Sequence, residues 1–374
     1  MYGTDWPYWS NGAESYVAGS RRWRMIADEC PELSNEDKRS ILSENALRFV
    51  RNKLPDGDRS RAEELHQQAT VVVIHDHNPL LADVPRMRAG GIAAKVYQLG
   101  VDVEIGREYL ATSARRSGFR MQARAALDDA RRTIASRPKE LALALSADDI
   151  ERARRAGQVA ILLGIEGGKF LEGELAPLRE FYDLGLREVQ LRWAVPNQLV
   201  ETDALTDFGR DVVRECQRLG ILVDLTHIPE KAFFQTIELV NKPVIVSHGT
   251  GAELGEKRVR AIADRGGVVG IHFYSSYLGP KPNVLSVVDA VEDLIRFGGI
   301  EVVGLGVDFF PTEGAWKEFQ QAQGTQDISW AIPDLGHLPE VTRALVARGF
   351  SDEQVLAVLG GNFLRVCRDA LHAG

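Results

Sequence analysis

Two histidines one residue apart follow an uninterrupted apolar run near residue 70. The run Val71–Ile74 is typical of a strand buried on both faces, and it continues directly into His75-Asp76-His77. Because side chains alternate along a strand, His75 and His77 point to the same side. Two imidazoles that converge at a strand end can bind one metal ion, although a hydrogen-bonded histidine pair would have the same spacing.

Four more ionisable side chains stand at the ends of other apolar runs. Glu166 ends the run AILLGIE, His227 ends ILVDLTH, His248 ends PVIVSH and Asp308 ends VVGLGVD. Burying this many ionisable groups without partners would cost on the order of several kcal/mol each, and a shared metal ion offsets that cost. Together with the histidine pair, six potential metal ligands or acid–base groups therefore fall at the same end of five strands.

The types of these residues indicate the chemistry. Histidine and carboxylate ligands without thiolates favour Zn²⁺, with Mn²⁺ or Fe²⁺ as less common alternatives. One carboxylate between two histidine groups can bridge two metal ions, and Glu166 is placed for that role. A metal-activated water would attack the substrate, and Asp308 would take up its proton and pass it to the leaving amine. Asp308 could instead be a metal ligand or a helix cap.

Eight apolar segments, separated by helical patterns, begin at residue 70. The candidate strands are 70–75, 91–98, 159–165, 187–192, 221–226, 243–247, 268–273 and 301–306. This alternation predicts an α/β fold, a parallel (β/α)8 TIM barrel whose active site lies at the carboxyl ends of the strands. A doubly wound open sheet is the alternative, but no G-x-G-x-x-G follows the first strand. The segment at about 100–158 is predicted to be a helical insertion beside the barrel.

Composition and length limit the possible classes of function. The barrel is assigned to residues 70–374, and residues 1–69 are assigned to an N-terminal helical extension with a linker. The net charge of −8 argues against nucleic acid as a partner. No apolar stretch approaches 18 residues, and the three cysteines are too far apart in sequence to suggest a disulfide framework or a thiolate metal site. We therefore expect a cytoplasmic protein that acts on a small molecule, without a membrane or nucleic-acid partner.

A set of longer motifs carries a family resemblance. They are HNPLLADVPRMRAGGIAAK, ILLGIEGG, LREFYDLGLREVQL, FGRDVVRECQRLGILVDLTH, PVIVSH, GGVVGIHFY, VGLGVDF and LGGNFLRV. From about residue 70 to 370, the chain resembles the membrane dipeptidase (renal dipeptidase) family, peptidase family M19 of the amidohydrolase superfamily. The resemblance implies a metal-dependent hydrolase barrel that is often dimeric, with two zinc ions and activity on dipeptides and sometimes on β-lactams. It also implies that Glu166 bridges the metals, that His227 and His248 bind one of them, and that Asp308 is the general base.

The first-strand motif differs from the family pattern. That pattern has H-x-D, and in the direct alignment its aspartate becomes Pro79, which cannot bind a metal. Sliding the frame by two residues gives the H-x-H pair of the wider superfamily, so His75 and His77 are the predicted ligands at strand one. Whether one or two ions bind depends on this choice.

Two parts of the substrate site also differ from the family. Trp193 replaces a histidine that contacts the substrate carbonyl in the family, and Arg192 is a candidate substitute. The family arginine that binds the substrate carboxylate has no clear equivalent, and Arg258 or Arg260 could serve. His272, at the end of the seventh strand, could line the pocket. The predicted substrate-binding residues are Trp193, Arg192, Asn197, Arg258 and His272.

The first 54 residues resemble a different protein. The motifs YGTDWPYW and LSNEDKRSILSENALRFV are similar to the C-terminal end of an amidohydrolase-related barrel of the decarboxylase type. This similarity implies that the extension is a remnant or a fusion of a second barrel. We predict an amide hydrolase, and the alternatives are a metal-dependent decarboxylase or lyase, or a non-catalytic binding protein that contains a metal.

Overall fold

The computed structural model describes residues 56–102, 118–193, 195–311 and 328–371. The motifs that suggested a second barrel end lie outside these residues. Within the described ranges, the strands are β1 (Val71–Asp76), β2 (Ile92–Val101), β3 (Leu141–Leu143), β4 (Val159–Glu166), β5 (Leu186–Gln190), β6 (Leu222–Asp224), β7 (Ile245–Gly249), β8 (Val268–Ile271) and β9 (Val303–Leu305).

The helices of the described residues surround these strands. They are α1 (Asp56–Gln68), α2 (Leu80–Ala89), α3 (Phe119–Ser136), α4 (Ala147–Arg155), α5 (Ala176–Asp183), α6 (Asp207–Leu219), α7 (Glu230–Leu239), α8 (Gly251–Asp264), α9 (Ser275–Leu278), α10 (Val284–Gly298), α11 (Leu338–Ala347), α12 (Asp352–Leu356) and α13 (Asn362–Ala370). None of them is long and apolar enough to cross a membrane.

Eight parallel strands form a closed barrel. The strands pair in the order β1, β2, β4, β5, β6, β7, β8 and β9, and β9 pairs with β1 to complete the circle. All residues of β1 and β4 are buried, which explains why their sequences are continuous apolar runs. The predicted (β/α)8 barrel is confirmed.

Two elements differ from the predicted pattern. The region between the second and third predicted strands contains the helices α3 and α4, but it also contains the short strand β3, which pairs with the first residues of β4. Three residues are too few to give a period-two signal, so the sequence did not indicate this strand. Helix α2 was also not singled out, because Pro85 lies inside it and proline is unfavourable within helices.

Helix α1 packs against the barrel domain although its sequence is polar. Ala62 and Leu65 are buried at its interface with α11. His66 is also buried, and its ring nitrogens lie 2.7 Å from Thr342 Oγ1 and 2.9 Å from the Gly90 carbonyl oxygen. The polar pattern of the helix does not show which side chains meet α11, so the burial of His66 could not be inferred from the sequence. The division of the chain at residue 69 stays a prediction.

Candidate metal centre

The structure brings six ionisable side chains together at the carboxyl ends of the barrel strands. Each one belongs to a strand or lies within three residues of the end of one, and most of them are almost completely buried. They are the six residues that the sequence indicated, namely His75, His77, Glu166, His227, His248 and Asp308. The alternation of side chains on β1 and the parallel direction of the strands together account for this convergence.

Glu166 lies at the centre of the cluster. Its Oε1 atom is 3.4 Å from Nε2 of His227 and 3.6 Å from Nε2 of His248. Its Oε2 atom is 3.2 Å from Nε2 of His77, and Nε2 of His75 is 3.9 Å from Oε1. The two oxygens of one carboxylate therefore reach histidines from two sides, which is the arrangement that a bridging ligand requires.

Asp308 lies beside the histidine pair of β1. Its Oδ1 atom is 3.6 Å from Nε2 of His75 and 3.7 Å from Nε2 of His77. Its Oδ2 atom is 3.6 Å from Nδ1 of His272, which directly follows β8. Asp308 can therefore contact either the histidine ligands or a bound substrate.

The backbone around Asp308 and His227 is unusual. Beyond the end of β9, the Asp308 amide donates to the His75 carbonyl at 3.1 Å, and the His77 amide donates to the Phe309 carbonyl at 2.8 Å. These bonds tie the histidine pair to Asp308. Asp308 and His227 have φ values of 54° and 63°, in the left-handed region that costs a residue with a side chain about 1–2 kcal/mol. Such strain is common at functional sites, where surrounding contacts maintain it.

The electrostatics of the cluster differ between its histidines. Burial lowers the pKa of His77 and of His227, but the hydrogen bond and charge of Glu166 outweigh it and raise both values. Burial lowers the pKa of His75 and of His248 well below its usual value, which favours the neutral form of these two rings. Burial would raise the pKa of Glu166, but hydrogen bonds and charge from His227 and His77 outweigh it and hold that pKa well below its usual range. Burial raises the pKa of Asp308 well above its usual value.

These residues fit a metal ion. The Nε2 atoms of His75 and His77 face each other at 3.1 Å, and those of His227 and His248 face each other at 2.9 Å. In each pair, at least one lone pair points at a second nitrogen, and a cation between the rings satisfies both. Ligand atoms within 4.8 Å of one another form three overlapping groups of described residues: His75, His77 and Asp308; His75, Glu166 and His248; and His248, His272 and Asp308.

Among the predicted substrate-binding residues, His272 is the one that the structure brings into the cluster. It is 1% exposed, and neither ring nitrogen has a hydrogen-bond partner among the described residues. Its ring stacks on Tyr277 with a centroid distance of 3.9 Å and meets Tyr274 edge-on at 4.8 Å. A buried imidazole without hydrogen-bond partners among the described residues, 3.6 Å from Asp308, can donate a hydrogen bond to a bound molecule or accept one from it.

The other predicted substrate-binding residues are held elsewhere or lie near the barrel mouth. The guanidinium of Arg192 donates to the carbonyls of Glu201 and Thr202 at 3.1 and 3.2 Å, and that of Arg258 donates to carbonyls of its own helix. Arg260, the other candidate, is paired with Glu256 on the surface.

The amide of Asn197 is saturated by protein groups. It donates to Asp102 at 2.6 Å and to the Leu191 carbonyl, and it accepts from the amides of Leu199 and Val200. Trp193 is partly exposed after β5.

The sequence did not reveal two further sets of residues near the cluster. Ser247 contacts two of the histidines, and its signal was only its position directly before His248 in PVIVSH. Tyr274 and Tyr277 pack on His272, and their signal was the aromatic spacing in HFYSSY. Both sets become visible only when neighbouring strands are placed side by side.

Comparisons with known proteins identify the family of the chain. The model of the family described as membrane dipeptidase (peptidase family M19) matches residues 45–373. The chain belongs to the membrane dipeptidase family. The match begins ahead of the predicted division at residue 69 and includes all six residues of the cluster.

Individual membrane dipeptidase relatives match the chain in part. The chain is 32% identical over 246 residues to Dipeptidase tcpJ of Claviceps purpurea (strain 20.1), covering 61% of this chain and 55% of that protein. It is 30% identical over 263 residues to Dipeptidase 3 of Mus musculus, covering 65% of this chain and 50% of that protein. The chain spans about half the length of these curated relatives.

A solved structure shows the same fold. A metallo peptidase from Rhodobacter sphaeroides, liganded with a phosphinate mimic of the dipeptide L-Ala-D-Ala, has a TM-score of 0.69 to this chain at 20% identity. The similarity covers 81% of this chain and 99% of that one.

Proposed function

We propose that this protein is a metal-dependent dipeptidase, which hydrolyses the amide bond of a dipeptide or a similar small molecule. The observation that carries the proposal is the position of Glu166 between two histidine pairs, with Asp308 beside one of them. Membership of the membrane dipeptidase family supports it, as do the names of the two curated relatives and the dipeptide mimic bound by the Rhodobacter sphaeroides protein.

The arrangement of the donor atoms supports two metal positions. His75 and His77 would hold one ion, His227 and His248 would hold the other, and the carboxylate of Glu166 between the two pairs would contribute to both. The nitrogen and carboxylate donor set favours zinc, with manganese or iron(II) as alternatives. When bound, such ions supply an activated water and polarise the substrate carbonyl.

Asp308 is the proposed general base. It is 8% exposed, so its carboxylate can meet both the site and an entering substrate. Burial raises its pKa, which favours uptake of a proton from the attacking water. The same group then donates this proton to the leaving amine, so that it returns to its starting state after each cycle.

His272 and Trp193 are the proposed substrate contacts. The ring nitrogens of His272 have no partner among the described residues, and one of them faces Asp308. The other ring nitrogen, Nε2, could donate a hydrogen bond to a substrate carbonyl. Trp193, which is partly exposed after β5, would form part of an apolar wall for the substrate side chain.

The first test combines metal content with activity. Protein purified without chelator is expected to contain two equivalents of zinc per chain and to release free amino acids from a dipeptide panel that includes L-Ala-D-Ala. Glu166→Gln should lose metal and activity together, because the bridging charge is removed. Glu174→Gln removes an exposed carboxylate close in sequence and is the matched control, expected to leave both unchanged.

The possible contrary results distinguish the alternatives. Carbon dioxide release without amine release would replace hydrolysis with decarboxylation. Bound metal without turnover on amide, ester and carboxylate panels would indicate a binding protein. Retention of full metal content and activity by Glu166→Gln would remove Glu166 from the centre.

We also propose a homodimer in the cytoplasm, with neither a membrane nor a nucleic acid as partner. The resemblance to a family with common dimers and the net charge of −8 support this. Light scattering of the purified chain and fractionation of the source cells test both parts of the proposal.

A further inference from the structure

The hydroxyl of Ser247 lies between two rings of the cluster. Its Oγ atom is 3.0 Å from Nδ1 of His75 and 2.9 Å from Nδ1 of His248, and Ser247 is completely buried. A third neighbour is Oγ1 of Thr226, at 3.3 Å. A hydroxyl has one proton to donate and two lone pairs to accept, so these three contacts can all be hydrogen bonds in only a few ways.

Asp224 fixes the direction of the hydrogen bonds. Its Oδ1 atom receives the Thr226 hydroxyl at 2.7 Å, the Thr226 amide at 3.0 Å and the Ser247 amide at 3.0 Å. An oxygen that faces three donors is an acceptor, whether or not the other oxygen of the carboxyl carries a proton. The proton of Thr226 is therefore used on Asp224, and Thr226 can offer only a lone pair to Ser247.

The remaining assignment follows from this direction. Ser247 then donates its proton to Thr226, because this is the arrangement in which all three contacts of its hydroxyl are hydrogen bonds. Its own lone pairs are then left for the two imidazoles, and each imidazole must donate from Nδ1. A neutral imidazole that carries its proton on Nδ1 has a free lone pair on Nε2.

We propose that Asp224, Thr226 and Ser247 form a hydrogen-bond relay that holds both His75 and His248 in the Nδ1–H tautomer. The relay aims both Nε2 lone pairs at the centre of the cluster, where His75 meets His77 and His248 meets His227. The hydroxyl of Ser247 thereby fixes the tautomer of one proposed ligand in each histidine pair. Ser247 is a positioning residue, and the inference rests on the proposed function in that the two histidines are metal ligands.

The barrel is built to bring the strands close together at this level. A Cβ atom on Gly306 or on Gly270 would lie 1.9 or 2.0 Å from the Ser247 carbonyl oxygen. Only glycine therefore allows β8 and the segment after β9 to approach β7 here. This close packing keeps Ser247 within reach of His75, which lies on β1 on the far side of β9.

The first test reads the tautomers directly. Histidine-labelled ¹⁵N protein of full length is examined by two-bond and three-bond ¹⁵N–¹H correlation, as purified and after zinc addition. His75→Asn and His248→Asn variants assign the signals by their loss. We expect the proton on Nδ1 in both rings, and a proton on Nε2 of either ring would overturn the relay.

The second test measures zinc affinity by competition with a chromophoric chelator. Loss of such a supporting contact typically weakens metal binding about 10–100-fold, and we expect a loss in this range for Ser247→Ala. Thr226→Val removes the middle hydroxyl with little change in shape and should also weaken zinc binding. Thr226→Ser keeps the hydroxyl and should bind zinc as tightly as the wild type. Thr236→Val is the matched control, because that buried hydroxyl donates within α7.

The outcomes separate the relay from the proposed function. If the wild-type protein carries both protons on Nδ1 but does not bind zinc, the relay is supported and the proposed metalloenzyme function is rejected. If zinc binds tightly and Ser247→Ala and Thr226→Val leave its affinity unchanged, the relay is rejected and the proposed metalloenzyme function is supported. If Ser247→Ala fails to fold by circular dichroism, the wild-type tautomers and the Thr226 pair of variants decide.

Discussion

Asp308 is a residue whose backbone conformation and chemistry can be tested separately. Its φ of 54° is tolerated by asparagine nearly as well as by aspartate, because both side chains can bond locally to the backbone. Asp308→Asn should therefore keep the fold and the metal. It should lower kcat about 10²–10⁴-fold, the usual contribution of a general base.

Steady-state kinetics and metal analysis on the same preparation check this prediction. Asp308→Ala is the useful comparison, because it removes the base and also adds backbone strain, so its melting temperature should fall below that of Asp308→Asn. A wild-type rate in Asp308→Asn would show that another group carries the proton.

At the residue scale, the sequence predicted the cluster because each member ends an apolar run. Strand alternation places His75 and His77 on one side, and the barrel rule places strand ends together. The sequence could not show where long side chains go. Arg192 and Asn197 stand near the site in sequence, yet their hydrogen bonds go to the protein backbone and to Asp102.

At the element scale, a buried ion cluster joins β1, β2 and α2. Lys95 on β2 is completely buried, and its ammonium group contacts Asp76 and lies 2.8 Å from Asp83 Oδ2. It also donates to the Asn78 carbonyl at 3.2 Å. Asp76 stands between the two histidines of β1 and therefore points away from them, toward Lys95. The cluster thus fixes the strand that carries the histidine pair.

Lys95→Met should destabilise the protein strongly. The substitution leaves two buried carboxylates without their cation, and breaking a buried pair in this way typically costs about 3–5 kcal/mol. Urea unfolding followed by circular dichroism measures the change in the free energy of unfolding. Lys231→Met removes a lysine from an exposed pair with Asp203 and should cost less than about 1 kcal/mol. Equal losses in the two variants would mean that the buried cluster does not hold β1 in place.

The sequence predicted most elements of the barrel but not this cluster. A lysine within an apolar strand gives no sign of its partners, because they lie on other elements. The sequence did not predict strand β3 or helix α2 for a related reason. Strand β3 is too short to show a periodic pattern, and helix α2 contains Pro85. Their positions are set by contacts with β4 and with the short 3₁₀ helix Leu335–His337 rather than by local preference.

At the scale of the whole molecule, the packing of helix α1 bears on where the folded domain begins. The sequence suggested residue 70, at the first strand, because α1 reads as a polar link. In the structure, α1 covers α11 with Ala62 and Leu65, and Arg61 donates to the Phe350 carbonyl at 3.0 Å. Removal of α1 would expose this apolar surface and leave the buried Thr342 hydroxyl without its partner His66.

Two truncations decide the boundary. A chain that starts at residue 45, where the family match begins, should keep the zinc content and melting temperature of the full chain. A chain that starts at residue 70 should melt several degrees lower or fail to fold, because a single 1 kcal/mol loss shifts the melting temperature of a large domain by about 2–4 °C. Calorimetry and metal analysis of both chains check this. Identical melting of the two truncated chains would show that the barrel is complete from its first strand, and the packing of α1 would then contribute nothing to its stability.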